Sequence, residues 1–549
     1  MRAAIHILAL AAALASAAPA GAETLVIHGG PIYTGAAKVE ALAVKNGKVA
    51  FAGPLSQARA AAPGAKDIDL KGAAAYPGFV DAHAHLSGIG FREMTLNLEG
   101  VASIEALIAQ LKAWAAANPG TDVVVGRGWI ETHWPEKRFP TRADLDRAVP
   151  DRPVVLTRAD GHALVANSAM LALAGVARNT AAPEGGQILK DASGEPTGML
   201  IDNAMGLVRS KVPSPGAAAQ AEAVRRGAQV YAARGWTGLH NMGASPREVA
   251  DQAALAAKGE LPVRIDNYMS GGADAAVLKD GPSQDPTGLV RVRGVKMFMD
   301  GALGSRGAAL LAPYADAEGT GLIVTPREAI DRALAAGRAS GAQIAIHAIG
   351  DRGNRIVLDA YQQAFAGDPA ALKAARWRVE HAQILAPEDL PRFAGLGVIA
   401  SMQPSHAIGD LYFAPARLGP ERLKGAYAWE SLLKTGAVVA GGSDAPVEKG
   451  DPLVEFYAAA YRHDLKGFAG PDWGLDEAVT RAQALAMLTS GPAYAAFHEN
   501  DLGQLAVGRP ADISVFSVDL MTAPFADIAK AHAVMTIVGG KVVYQAGKP

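Results

Sequence analysis

The chain contains no cysteine in 549 residues. Disulfides, thiolate nucleophiles and cysteine-type zinc sites are therefore excluded, and any metal must be held by histidine, carboxylate or a modified lysine. An excess of either charge is also missing, since 52 Lys and Arg against 54 Asp and Glu leave a net charge of −2. That balance gives no basic footprint for nucleic acid. Beyond the N-terminus no stretch is apolar enough to span a bilayer, and none reads as a low-complexity linker.

What is present is the composition of a soluble globular protein with a large core: half the residues are hydrophobic and 19% are charged. The length suits a large α/β barrel with insertions and a satellite domain. Residues 1–22 read as a secretory signal, with Arg2 at the start, an apolar run from Ala3 to Ala18, and Ala20-Gly21-Ala22 as the cleavage site. The run is shorter than the roughly 20 residues of a membrane-spanning helix. The mature protein is thus expected outside the cytoplasm, in the periplasm of a diderm host, with no membrane attachment after cleavage.

Residues 23–76 and 500–549 share a texture of short alternating strands and glycine turns, such as Asn46-Gly47 and Gly539-Gly540. The two ends are expected to pair into one small, β-sandwich-like domain. Residues 77–499 then form a single inserted body. There, helical stretches such as AAAQAEAVRRGAQVYAARG, REAIDRALAAGRASG and ESLLKTG each precede an apolar strand. Repeated helix–strand units predict a parallel sheet, and the length favours a TIM-like (β/α)8 barrel. From about residue 124 to 213 the rhythm breaks in a segment rich in Trp, Arg and Asp, which reads as an insertion over one face.

Buried parallel strands are almost wholly apolar, so polar residues at strand ends carry the information. GFVDAHAHL places His83 and His85 two apart on one strand, facing the same way. VRGVKMFMDG carries Lys296, QIAIHAIGD carries His347, WRVEHAQIL carries His381 and VVAGGSDAP carries Asp444. In a parallel barrel such strand ends surround one mouth. Four imidazoles and a carboxylate suit Zn²⁺ or a similar metal. A buried lysine is costly unless paired or modified, and carbamylation by CO₂ would make Lys296 a bridging, carboxylate-like group. Each residue has a plainer account: hydrogen-bonded core histidines, Lys296 paired with Asp300 or Glu380, and Asp444 as a helix cap.

At these residues the sequence resembles the amidohydrolase superfamily, and more narrowly its YtcJ-like, amidohydrolase-3 branch, which includes N-substituted formamide deformylases. GRGWIETHWPEKRFPTRADLD, RADGHALVANSA, KMFMDGALGSRGAAL, HAIGDRGN and RVEHAQI carry that likeness. The resemblance implies two divalent metal ions, with Zn²⁺ as the default. His83, His85, Lys296 and Asp444 would hold one; Lys296 (as a carbamate), His347 and His381 would hold the other. It implies hydrolysis of an amide-like C–N bond in a small N-acyl or N-formyl substrate, with Asp444 moving the proton. A cyclic amide, an N-acyl amino acid or an ester is the alternative on the same site, and a catalytically silent metal-binding barrel is the alternative outside enzymes. One departure is Asn241, where the branch often has Asp.

A second tier of residues is expected near the substrate. His240 and His162 would orient it or donate to the oxyanion, or be satisfied structural histidines; Arg306 would bind a substrate carboxylate or simply be solvated; Trp129 and Trp134 would wall the site, though ordinary packing of the insertion is the plainer reading. Asp351 is a candidate to fix a metal-bound histidine. His406 follows a strand-like segment, but nothing local assigns it to the site. The expected partner is a small-molecule substrate, and homo-oligomerisation is left open.

Overall fold

The alternation of helix and strand builds a parallel, nearly closed eight-stranded barrel. The structure, a computed structural model, describes residues 23–547 apart from 121 and 472. The signal sequence read at residues 1–22 lies outside the described residues. The barrel strands are β1 (Phe79–Ala84), β2 (Trp236–Ala244), β3 (Arg264–Met269), β4 (Val290–Phe298), β5 (Gln343–Ala348), β6 (Arg378–His381), β7 (Ile399–Met402) and β8 (Val439–Gly441). They lie side by side in chain order, each parallel to the next. The seam between last and first strands is bridged just past β8: the Asp444 amide donates to the His83 carbonyl (2.7 Å) and the His85 amide to the Ala445 carbonyl (2.8 Å).

Every residue of β1 and β5 is buried, as expected for strands covered on both faces. The helix Ala217–Arg234 precedes β2 and ends at Gly235, whose φ of +98° only glycine adopts cheaply. A Cβ there would also stand 2.7 Å from the Phe516 ring.

Strands from the two chain ends share a sheet. Ala74–Pro77 pairs antiparallel with Ile513–Phe516 in a six-stranded sheet, beside a four-stranded sheet from residues 25–69. Phe516 packs edge-on against Phe79 of β1 with ring centroids 5.1 Å apart, which seats this sheet against the barrel.

A third, six-stranded sheet lies between β1 and β2 in sequence, running from Leu96–Asn97 to Pro196–Asp202. The inserted body therefore begins well before residue 124. Its core gathers Trp129, Trp134, Leu145 and Leu156 with helix Ile104–Ala117. Among the described residues no helix is long and apolar enough to cross a membrane.

Candidate metal centre

The strand ends bring five of the six expected ligands into one buried cluster, with the sixth, His85, partly exposed at its edge. His83, His85 and Asp444 offer ligand atoms that all lie within 4.8 Å of one another. His381, His406 and Asp444 form a second such group. His347 packs against His381 with ring centroids 4.5 Å apart, and His381 against His83 at 4.8 Å. His406, unassigned in the sequence, thus joins the cluster. It comes from the helix Pro404–Asp410 that follows β7, where no strand-end pattern marks it.

Hydrogen bonds fix the imidazoles from behind. His83 donates Nδ1–H to Glu380 Oε2 (2.6 Å), His85 to the Met242 carbonyl (2.8 Å) and His381 to Gln403 Oε1 (2.8 Å). Each Nε2 is thereby left as a lone pair facing the cluster. His85 Nε2 stands 3.0 Å from Asp444 Oδ1 and His83 Nε2 3.5 Å from the same oxygen. His406 Nε2 is buried without a hydrogen-bond partner and lies 3.8 Å from Asp444 Oδ2. Lone pairs converging on a carboxylate call for a cation between them, so these residues fit a divalent metal.

Charge and burial agree with that fit. Burial holds His83, His347 and His381 well below the usual histidine range, with neighbouring cations adding to the effect. Burial alone would raise the Asp444 carboxyl, but the facing His83 and His85 outweigh it and hold it well below the usual carboxylate range. Lys296 is 4% exposed, and no carboxylate lies within ion-pair distance of its Nζ among the described residues. Its Nζ meets His83 Nε2 at 3.2 Å and the Phe298 ring at 4.7 Å. Pairing with Asp300 or Glu380 is therefore not realised, and burial draws the ammonium down to about 8. The backbone is strained at two of these positions, with φ of +74° at His381 and +56° at Asp444.

The second tier of expected residues is redistributed. His162 does reach the cluster: its ring lies 4.9 Å from that of His347, and Nδ1 is bonded to Asp202 at 2.6 Å. Burial opposes its protonation, but Asp202 prevails and its pKa is raised. His240 does not reach the mouth. It sits one layer lower, where Nδ1 accepts from Arg378 Nη1 (2.8 Å), and burial with that cation pulls it down to about 3. Arg306 is not a cavity residue; it pairs with Asp316 (2.9 Å) in a surface loop. Trp129 is fully buried in the core of the inserted sheet, its indole N–H donating to the Leu156 carbonyl (2.9 Å). Packing rather than substrate contact explains both Trp129 and Trp134, and Trp129→Ala is expected to cost about 3–5 kcal/mol in urea denaturation. Asp351 accepts from the Leu311 amide, whereas Asp300 is the carboxylate beside His347, 3.5 Å from Nε2. Asn241 Oδ1 accepts from the Leu86 amide (2.8 Å) behind β1.

The cluster opens into a cavity of about 840 Å³, lined by His85, Lys296, His347, His381 and Asp444 on the barrel side. The inserted sheet supplies the opposite wall, including Arg127, His162 and Asp202.

Known proteins are similar to this chain. A family model described as "Amidohydrolase family" matches residues 66–544. The chain is 34% identical to the putative amidohydrolase YtcJ of Bacillus subtilis over 94% of its own length and 99% of that protein's. It is 28% identical to the N-substituted formamide deformylase of Arthrobacter pascens over 92% of this chain and 95% of that one. The crystal structure of an uncharacterized metal-dependent hydrolase from Pyrococcus horikoshii superposes with a TM-score of 0.73, at 28% identity, covering 91% of this chain and 99% of that one. The chain belongs to the amidohydrolase family of metal-dependent hydrolases.

Proposed function

We propose that the protein hydrolyses the amide-like C–N bond of a small N-acyl or N-formyl compound at a centre of two divalent cations. The observation that carries this reading is the convergence of outward-tethered imidazoles on Asp444 beside a buried lysine with no carboxylate partner among the described residues, at the floor of a large cavity. His83, His85 and Asp444 would hold one cation; His347 and His381, with His406 in reach, would hold the other; Lys296 as a carbamate would join them. Likeness to an N-substituted formamide deformylase supports the substrate class. Zn²⁺ is the default metal for this donor set, which also suits Fe, Mn or Co.

Cations held there supply Lewis acidity, which acidifies water and polarises a carbonyl. Asp444, kept ionised by its neighbours, takes the proton of the attacking water and returns it to the nitrogen as the C–N bond breaks, so an acid and an amine leave. His162, braced by Asp202, donates a hydrogen bond to the substrate oxygen as its charge grows. The division into a chemistry-bearing barrel and a small domain from the two chain ends, and export directed by residues 1–22, belong to the same reading. The first rests on the pairing of Ala74–Pro77 with Ile513–Phe516, the second on the sequence alone.

The test is release of primary amine from a panel of N-formyl and N-acyl amines, by protein purified without chelator and by protein stripped and reloaded with Zn²⁺. Turnover that is lost on stripping and restored by metal is expected. Metal-free protein of undiminished activity, or a metal-loaded protein silent on every amide and active on esters alone, would overturn the reading.

A further inference from the structure

The cavity above the metal cluster carries an imbalance of charge that the chain itself does not resolve. Three carboxylates line it, and each is engaged. Asp160 is bonded to the Arg158 guanidinium, Asp202 to His162 at 2.6 Å, and Asp444 to His85 at 3.0 Å. Two arginines line the same cavity and are not so engaged. Arg127, on the inserted strand Val124–Trp129, donates to the Ala159 carbonyl at 3.2 Å. Arg209, at the end of the helix Met205–Arg209, reaches the Gly161 carbonyl at 3.5 Å. Among the described residues no carboxylate lies within ion-pair distance of either. Glu99, whose charge reaches Arg127, pairs instead with Arg92 at 3.8 Å.

The two guanidinium groups are neighbours. Both bind the loop Ala159–Gly161, and the charge of Arg209 is felt at Arg127. Arg127 is partly covered and Arg209 exposed; burial with the nearby Arg92 and Arg209 draws Arg127 down to about 10, and Asp444 acts against them. A guanidinium presents paired donors in a plane, the geometry that matches a carboxylate. The cavity that holds both the pair and the metal cluster also has apolar lining, with Phe91, Met94, Val125, Met205 and Phe298 among its residues.

From this juxtaposition we infer that the substrate carries a carboxylate, bound by Arg127 and Arg209 of the inserted segment, and an apolar portion that packs on the lining of the same cavity. The class is an N-acyl amino acid or an N-acylated amino carboxylate rather than a neutral N-alkyl amide. This rests on the amide-hydrolase reading, which it narrows. The recognising residues come from the inserted segment alone, and none of them belongs to the metal cluster.

Binding decides the matter independently of turnover. N-Methanesulfonyl-leucine has a carboxylate and an apolar side chain but no hydrolysable acyl group; its carboxamide differs only in charge. By calorimetry on the metal-loaded protein, the acid is expected to bind roughly tenfold or more tightly than the carboxamide, since a hydrogen bond to a charged group is worth about 1.5–3 kcal/mol. Arg127→Gln with Arg209→Gln is expected to abolish that preference and leave the carboxamide unaffected, while Arg127→Lys retains part of it. Equal affinity of the parent for acid and carboxamide overturns the inference, whatever the variants do. A preference for the acid without hydrolysis of any N-formyl or N-acyl compound would instead remove the amide-hydrolase reading and leave the anion site standing.

Discussion

Lys296→Ala is expected to hold at most one divalent ion where the parent holds about two, and to lose roughly 10²–10³-fold or more in turnover of the best amide substrate. A lysine 4% exposed, with His83 at 3.2 Å and no carboxylate partner among the described residues, is an expensive residue to keep as an ammonium ion. On the proposed reading its place at the edge of a ring of imidazole lone pairs is that of a carbamate, an anion. Elemental analysis of parent and variant, each purified with bicarbonate and without chelator, reads the first effect directly. Formate or acetate added to the variant is expected to restore part of the activity, because a small carboxylate would take the place of the proposed carbamate. Two ions per chain in the variant with unchanged rates would show that Lys296 is a bystander, and the binuclear centre would have to be abandoned.

The second large effect lies beneath the metal cluster. Arg378 and Glu380, both fully buried, face each other across 2.7 Å on β6. Arg378 also donates to His240, to the Tyr268 hydroxyl (3.0 Å), to the Ala82 carbonyl (2.7 Å) and to Ser401 Oγ (2.7 Å). Glu380 in turn accepts from His83 Nδ1. Arg378→Met strands the Glu380 charge in the barrel interior, and a loss of about 3–5 kcal/mol against urea is expected. Metal affinity, read by chelator competition, should fall by roughly 10–100-fold, because the carboxylate that orients His83 is no longer fixed. Replacing both members, Arg378→Met with Glu380→Leu, should recover most of the stability but not the metal affinity. A single variant that loses less than about 1 kcal/mol would mean that the pair is solvated and that the ligand tether is made elsewhere.

How far the site was readable from residues follows from the same pair. The clustering of these side chains was legible because imidazole and carboxylate stand out at the ends of apolar runs, as in QIAIHAIGD and VVAGGSDAP. Arg378 and Glu380 alternate with Val379 inside a strand, a pattern that normally marks a solvated face, and here both point into the barrel. The third barrel strand, RIDNYM, was not read as a strand for the same reason. Its Asp266, Asn267 and Tyr268 are buried, held by His498, Gln252 and Gln343. His240 was assigned to the mouth because its strand reads as another end, yet its partner Arg378 is 138 residues away and fixes it below. His406 and Arg127 depend on how a helix and an inserted sheet dock over the barrel, which no local spacing encodes. Trp129 and Arg306 have residue types that suit ligand contact, but they follow the plainer reading: Trp129 packs in the core of the inserted sheet and Arg306 pairs with Asp316.

The seam of the barrel gives the metal cluster a second meaning. The two hydrogen bonds that join β1 to the chain past β8 are made by His83, His85, Asp444 and Ala445 themselves, and the His85–Asp444 contact spans 359 residues of sequence. An ion held by these side chains would act as a clasp on a very long loop, so the last step of ring closure and the first moment of metal competence would coincide. A half-folded chain would then have no vestigial site with which to capture the wrong ion. Stripping the finished protein should loosen amide protection first along β1 and the 442–446 segment, while the far side of the ring keeps its protons.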